Sequence, residues 1–165
     1  MRQKGISPTT NVGDILVTEA KIAAEHQSSI WPTSHQMWTQ MWKLKVAPKM
    51  KDFLWKLIHN CIRCSTFFAR IPTLTNRQYC HCGAVETIEH IFFECDNSCQ
   101  SQIWPFAELL WNKMSKIKWV TPNLNLIKAI GCICISDAQG NYKTHTTSIY
   151  QTIVMVTIWH IMIPY

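Results

Sequence analysis

Several features that mark whole classes of protein are missing from this sequence. The opening segment, MRQKGISPTTNVGDIL, has no apolar run of the kind that a secretory signal needs. We therefore expect an intracellular protein, in the nucleus or cytoplasm, that is not secreted. The most apolar run, residues 149–163, is shorter than the roughly 20 residues of a membrane span and contains His160. We expect it to be a buried helix or strand, and we do not expect the protein to associate with a membrane.

Disulfide bonds are not needed to explain how such a chain folds. Its 165 residues, 47% of them apolar, are enough for about one domain with a core of its own. In a reducing compartment, closely spaced cysteines indicate metal ligands before disulfides. The eight cysteines are therefore candidate metal ligands.

Lysine and arginine are absent from residues 79–108, which carry five acidic side chains. Residues 31–78, in contrast, carry eight basic side chains and one acidic. The basic ones are Lys43, Lys45, Lys49, Lys51, Lys56, Arg63, Arg70 and Arg77. Such asymmetry favours a polyanionic partner, RNA or DNA, whose phosphates would pair with these cations. Trp38, Trp42 and Trp55, interleaved with the cations, could stack on unpaired bases. The alternative is that the lysines form an ordinary solvated face and that Trp38 and Trp42, on one helical stripe, belong to the core.

Helical periodicity is the main secondary-structure signal. After Pro48, which is well placed to open a helix, apolar residues recur at i, i+3, i+4, i+7 and i+8: Met50, Phe53, Leu54, Leu57 and Ile58. Weaker patterns predict further helices over 14–25, around Phe67 and Phe68, over 103–111 and over 124–130. The predicted fold class is mainly α, a small helical domain with flanking helices.

The stretch YCHCGAVETIEHIFFEC, residues 79–95, contains a possible metal site. Cys80, Cys82, His90 and Cys95 form the pattern C-x-C-x7-H-x4-C, and Cys3His is a usual ligand set for structural Zn²⁺. Two cysteines separated by one residue point the same way on extended backbone. We therefore predict one structural Zn²⁺; the alternative is buried thiols and a histidine with an ordinary hydrogen bond.

The zinc hypothesis has a geometric requirement. Cys95 follows His90 by five residues, which on an α-helix separates them by about 140°. The helix must therefore end near Phe93. His81 and Cys99 are spare donors, His81 on the opposite side of an extended segment and Cys99 a substitute for Cys95.

Other groupings of donors are weaker. His59, Cys61 and Cys64 form H-x-C-x2-C without a second pair at matching distance, so ordinary semi-buried thiols are favoured there. His59 and Cys61, two apart on a helix, point to different faces, which argues against a thiol nucleophile.

In their order along the chain, these motifs resemble a known family. MWKLKVAPKMKDFLWKLIHNCI, then CHCGAVETIEHIFFEC, then Trp104, is similar to the zinc-binding region of reverse transcriptases from non-LTR, LINE-type retrotransposons. The resemblance runs from about Trp38 to Trp111. It implies the same four zinc ligands and a role in holding RNA or DNA near a polymerase.

The resemblance does not extend to polymerase chemistry. The chain has no Tyr-x-Asp-Asp and no set of carboxylates that could hold two Mg²⁺ for nucleotidyl transfer, and Asp137 stands alone in a turn-like segment. We expect a non-catalytic retroelement remnant, not an enzyme, without a small-molecule substrate. The alternative function is a structural or protein-interaction domain that docks on a reverse transcriptase body or another protein.

Three regions are predicted. Residues 1–30 are a weakly structured N-terminal flank, residues 31–111 are the zinc-binding domain, and residues 112–165 are a helical C-terminal flank.

Overall fold

The fold is mainly helical, as predicted. A computed structural model describes residues 8–163, with the side chains of residues 17–163 except 66, 75 and 76. Within this part of the chain there are seven α-helices: α1 Pro8–Ser28, α2 Ser34–Lys43, α3 Pro48–Ile58, α4 Ser65–Phe68, α5 Gln100–Met114, α6 Leu124–Lys128 and α7 Thr144–Met162. Short 3₁₀ turns at Pro72–Gln78, Asp96–Ser98 and Ile130–Cys132 connect some of them. The described residues form two isolated β-bridges, and no β-strand extends beyond such a bridge.

Helix α3 forms where the apolar periodicity predicts it. Pro48 occupies its first turn, where the missing N–H costs no intrahelical bond. All five residues of the predicted stripe are buried: Met50, Phe53, Leu54, Leu57 and Ile58. The prediction is confirmed because one continuous apolar face of a helix has to find a partner surface.

The apolar run near the C-terminus is helix α7, at the centre of the core. It packs against α5 and α3, and its buried residues include Ile153, Val154, Met155 and Ile158. None of the described helices is long and apolar enough to cross a membrane.

Helix α1 occupies the flank for which the sequence predicts little structure. It extends beyond the predicted 14–25 at both ends. Val17, Ala20 and Ala24 recur at i, i+3 and i+7, are completely buried, and lie on the helix that packs against α6. Two alanines in that stripe give a weak hydrophobic signal, but their small size lets the helices approach closely.

Helix α2 buries a different face from the one the sequence indicates. Met37 and Met41, at i and i+4, are its buried residues, whereas Trp38 is half-buried and Trp42 is 52% exposed. The interpretation that both tryptophans belong to the core is therefore wrong for Trp42. Leu44 and Met50, which follow α2 in the sequence, are also buried. Trp42 therefore lies on the side of α2 that faces away from the core.

Candidate metal centre

A tight turn presents the first two cysteines of the candidate metal site. Tyr79 and Val85 form an antiparallel bridge, and the N–H of Cys80 donates to the carbonyl oxygen of Ala84 at 2.8 Å. The N–H of Gly83 donates to the carbonyl oxygen of Cys80 at 2.8 Å, and Gly83 has φ = +88°. Glycine adopts that conformation without steric cost, so it closes the turn here.

A short helix presents His90. Thr87 caps its start: the Thr87 hydroxyl accepts a hydrogen bond from the N–H of His90 at 3.0 Å, and the Thr87 carbonyl accepts one from Ile91 at 3.0 Å. Sequence reasoning missed this cap, although a threonine three residues before His90 is a usual start signal. The cap holds the His90 backbone in place as the ring enters the site.

The helix then widens into a π-turn over His90–Glu94. It ends at Glu94, one residue after the predicted end near Phe93, and Cys95 has extended backbone angles. The N–H of Cys95 donates to the carbonyl oxygen of His90 at 2.7 Å, an i→i−5 bond. The wider turn brings two side chains five residues apart to the same side, which an α-helix would not do.

The four predicted donors come together. The Sγ atoms of Cys80 and Cys95 are 3.5 Å apart, the Sγ of Cys82 lies 3.2 Å from the Nε2 of His90, and all four atoms lie within 4.8 Å of one another. In a tetrahedral site with Zn–S of about 2.3 Å and Zn–N of about 2.0 Å, neighbouring donors are about 3.5–3.8 Å apart. The donor set and its spacing therefore fit Zn²⁺.

Neighbouring groups support the site on its buried side. Cys80, His90 and Cys95 are buried, and Cys82 is exposed. The Ser98 hydroxyl donates to the carbonyl oxygen of Cys95 at 2.8 Å, and the indole N–H of Trp104 donates to the carbonyl oxygen of Phe92 at 2.8 Å. These bonds hold the chain on both sides of Cys95.

One carboxylate lies beside the far nitrogen of the histidine. The Glu94 Oε2 is 3.7 Å from the Nδ1 of His90, while Nε2 faces the thiol of Cys82. Histidines that bind metals usually direct their other nitrogen to such an oxygen. The sequence shows that His90 and Glu94 have i, i+4 spacing. It does not indicate that the Glu94 carboxylate lies beside the nitrogen of His90 that faces away from the candidate metal site.

The cluster favours a cation. Burial raises the pKa of the Cys80 thiol; a backbone hydrogen bond at Cys82 opposes this, and the neighbouring thiols of Cys95 and Cys82 raise the pKa further. Thiols this close disfavour one another's ionisation. A divalent metal ion removes that repulsion because thiolates are its ligands.

The remaining cysteine and histidine candidates stay apart from the cluster. His81 and Cys99 are exposed, and neither belongs to the group of four. Within the described residues, no second group of three or more such donors comes together, so His59, Cys61 and Cys64 do not form one. Cys64 is buried and Cys61 is exposed.

The eight predicted nucleic-acid-binding cations are on the surface, but not in identical settings. Lys51 donates to the Trp42 carbonyl oxygen at 2.7 Å, Lys56 pairs with Asp52 at 2.7 Å, and the Nζ of Lys49 lies 4.9 Å from the centre of the Trp159 ring. Lys49 and Lys56 are exposed, as are the other five cations: Lys43, Lys45, Arg63, Arg70 and Arg77.

An aromatic stack lies on the same basic segment. The His59 ring lies 4.2 Å from the Trp55 ring and 5.0 Å from the Trp38 ring, measured between centroids and stacked on both. Trp55 is 38% exposed. Sequence reasoning missed His59 as a member of this surface because the stack joins α2 to the end of α3.

One comparison with known proteins returns a family. The sequence profile of a family described as zinc-binding in reverse transcriptase matches residues 22–104, half of the chain. The chain belongs to this family. The resemblance to a reverse-transcriptase zinc-binding region is thereby confirmed. No curated protein and no solved structure matches the chain.

The match to the reverse-transcriptase zinc-binding family spans the whole candidate site. It begins within α1, includes all four donors, and ends at Trp104, whose indole holds the turn before Cys95. The family and the Cys3His cluster together indicate a metal ion, with zinc the metal that this donor set prefers.

Proposed function

We propose that the chain is a non-catalytic module from the reverse transcriptase of a LINE-type retrotransposon, with a fold closed by one structural Zn²⁺. The observation that carries the proposal is the cluster of four nitrogen and sulfur donors within 4.8 Å of one another. Four protein ligands complete a tetrahedral shell and leave no position for a reacting water. The metal would therefore supply cross-linking of the chain and no chemistry on a substrate.

The cross-link would join two separate segments of the chain. Cys80 and Cys82 lie in the turn between the Tyr79–Val85 bridge residues, while His90 and Cys95 lie on the π-turn that packs against α5. Structural zinc sites in small peptides contribute apparent binding free energies of about 10–16 kcal/mol. We expect a smaller contribution here because a hydrophobic core also exists.

Zinc content per chain tests this proposal. Elemental analysis of the reduced protein should find one zinc in the wild type and a large loss in Cys82→Ser, together with a lower Tm. Cys82 suits the test because it is exposed, so the substitution disturbs little packing. Cys99→Ser is the matched control, an exposed thiol outside the cluster, and should keep its zinc. A folded wild type without zinc would overturn the proposal.

The proposed partner is RNA or DNA, held through the basic segment. Seven of its eight cations are exposed, all but Lys51, and Trp42 and Trp55 present partly exposed rings beside them. Phosphates bind such cations without regard to sequence, and aromatic rings stack on unpaired bases. Affinity for a single-stranded oligonucleotide should fall steeply as salt rises; a salt-independent or absent interaction would contradict the proposal.

A second candidate function is docking on a protein, such as a reverse transcriptase body. The observation that favours it is the outer face of α5, where Phe106 is 69% exposed, Leu109 57% and Met114 53%. An apolar groove of about 250 Å³ is lined by residues of this helix and of α7. Contiguous apolar surface of this kind marks interfaces. Docking of this kind would persist at high salt, which distinguishes it from phosphate binding.

A further inference from the structure

A large cleft lies away from the metal site. It is bounded by α2, by the segment after α6 that contains Gly131, Cys132, Ile133 and Cys134, and by the first turns of α7. Its volume is about 600 Å³. This is within the range of about 300–1,000 Å³ that is typical of sites for small ligands.

Close backbone packing builds the floor of the cleft. A Cβ at Gly131 would lie 2.8 Å from the backbone of Gln40 and Met41, so only glycine lets this segment rest on α2. On the other side, the Ser28 hydroxyl accepts from the N–H of Cys134 at 2.8 Å. The segment that forms the floor of the cleft is therefore held by α2 on one side and by Ser28 on the other.

The charge of the cleft has one sign. Lys43 and Lys45 line it, with His145 at the start of α7, and none of the described residues that line it is acidic. Within residues 17–163 neither lysine forms an ion pair. Two unpaired cations without a neighbouring carboxylate favour an anionic ligand.

The remaining lining suits a planar, partly polar group. Tyr142, whose side chain is partly exposed, forms part of one wall, and Ile30 and Ile133 supply apolar surface. Gln40 and Gln151 contribute amides that can hydrogen-bond to a ligand. Cations, a tyrosine ring and side-chain amides in one cleft match the phosphate, the base face and the base edge of a nucleotide.

We infer that this cleft binds one nucleotide unit of a single-stranded polynucleotide, with its phosphate near Lys43 and Lys45 and its base against Tyr142. The inference rests on the proposed nucleic-acid binding and deepens it by naming where the strand is held. It separates Lys43 and Lys45 from the other six cations of the basic segment, which lie outside the cleft lining.

The first test compares two double variants of equal charge by their affinity for labelled oligouridylate and oligothymidylate across a salt series. Lys43→Gln/Lys45→Gln should weaken binding and reduce the slope of log K against log salt by about 0.7, the contribution of one single-strand phosphate contact. Lys113→Gln/Lys116→Gln, two exposed lysines outside the cleft, should leave the slope unchanged. Stronger binding of the uridylate would identify RNA as the strand, through its 2′-hydroxyls.

A second pair of variants probes the cleft without touching a lysine. Thr144 is exposed and lines the cleft at the first residue of α7. Thr144→Glu puts an anion into the cleft but suits a helix start, so it should fold normally and bind the strand at least about tenfold more weakly. Thr144→Gln, of similar size and neutral, should bind like the wild type. Tyr142→Ala should weaken binding at least about fivefold through lost stacking.

The outcomes separate the two proposals. Wild-type binding that all three cleft variants and both controls retain equally would overturn the cleft and leave the proposed nucleic-acid binding standing. A wild type that binds neither oligonucleotide would overturn both. Selective loss in Lys43→Gln/Lys45→Gln and Thr144→Glu, with unchanged zinc content, would establish the cleft.

Discussion

The backbone N–H of Cys95 donates a hydrogen bond to the carbonyl oxygen of His90, with an N···O distance of 2.7 Å. This i→i−5 bond closes the π-turn that makes the two side chains neighbours. π-Turns are rare and lie frequently at functional sites. Here the π-turn brings His90 and Cys95, which an α-helix would hold apart, into one Cys3His cluster. The groups that stabilise the π-turn can be tested one at a time.

Loss of the indole N–H of Trp104 should weaken the π-turn. That N–H donates to the Phe92 carbonyl oxygen at 2.8 Å in a buried setting, so Trp104→Phe leaves a buried acceptor unpaired. We expect the free energy of unfolding to fall by about 1–3 kcal/mol, plus the packing lost with the larger ring, measured by urea denaturation. Trp119→Phe is the comparison, because its indole bonds to the hydroxyl of the exposed Thr121. Equal losses of unfolding free energy in the two variants would show that the Trp104–Phe92 hydrogen bond contributes no more to stability than the Trp119–Thr121 bond.

Glu94→Gln should reduce zinc affinity without removing a ligand. The Glu94 carboxylate lies 3.7 Å from the Nδ1 of His90 and can orient the ring and raise its basicity. Such outer partners contribute about 10–100-fold in metal affinity, and we expect about tenfold because Glu94 is exposed. Competition with a chromophoric zinc chelator measures the change. Glu89→Gln removes the same charge nearby and should have little effect; an equal effect would reduce the role of Glu94 to net charge.

Thr87→Ala should destabilise the helix that carries His90. The substitution removes the hydroxyl that accepts from the His90 N–H, and loss of such a cap costs about 0.5–2 kcal/mol. Thr87→Ser keeps the oxygen and should recover most of the loss. Thermal unfolding of the zinc-loaded proteins gives the comparison. If alanine and serine behave alike, the hydroxyl does not cap this helix.

Zinc affinity should fall as the pH is lowered. Burial raises the pKa of the Cys80 thiol, so in the metal-free protein this thiol keeps its proton at neutral pH, and zinc must displace it. The metal-bound state therefore holds fewer protons, and acid favours the free state. The logarithm of the association constant should rise with pH with a slope of up to about three, one for each thiol. A pH-independent zinc affinity would mean that the thiols do not bind as thiolates.

Local patterns in the sequence were sufficient for several elements. The apolar stripe of α3 predicts both its helix and its buried face, because the periodicity and the packing surface are the same property. The spacing of Cys80, Cys82, His90 and Cys95 likewise predicts the group of donors that the structure brings together. In both segments the residue types and their spacing alone determine the feature that the structure shows.

Other features depended on what each segment meets. Trp42 lies on a helical stripe with Trp38, yet it is exposed because Met37 and Met41 face the core instead. The small stripe of α1 has too little apolar surface to predict burial, and it is buried because α6 lies against it. The apolar fraction of a helix face does not say which partner is within reach.

The sequence by itself determined which chemistry is present: four zinc-type donors in one short stretch, a basic segment with tryptophans, and helices with buried stripes. Only the tertiary structure decided how these are arranged. The π-turn at His90, the stack of His59 between Trp38 and Trp55, and the cleft at Lys43 each join residues through space. The physical reason is that donor type and periodicity are local properties of the chain, whereas distance and burial arise when separate segments compete for the same neighbours.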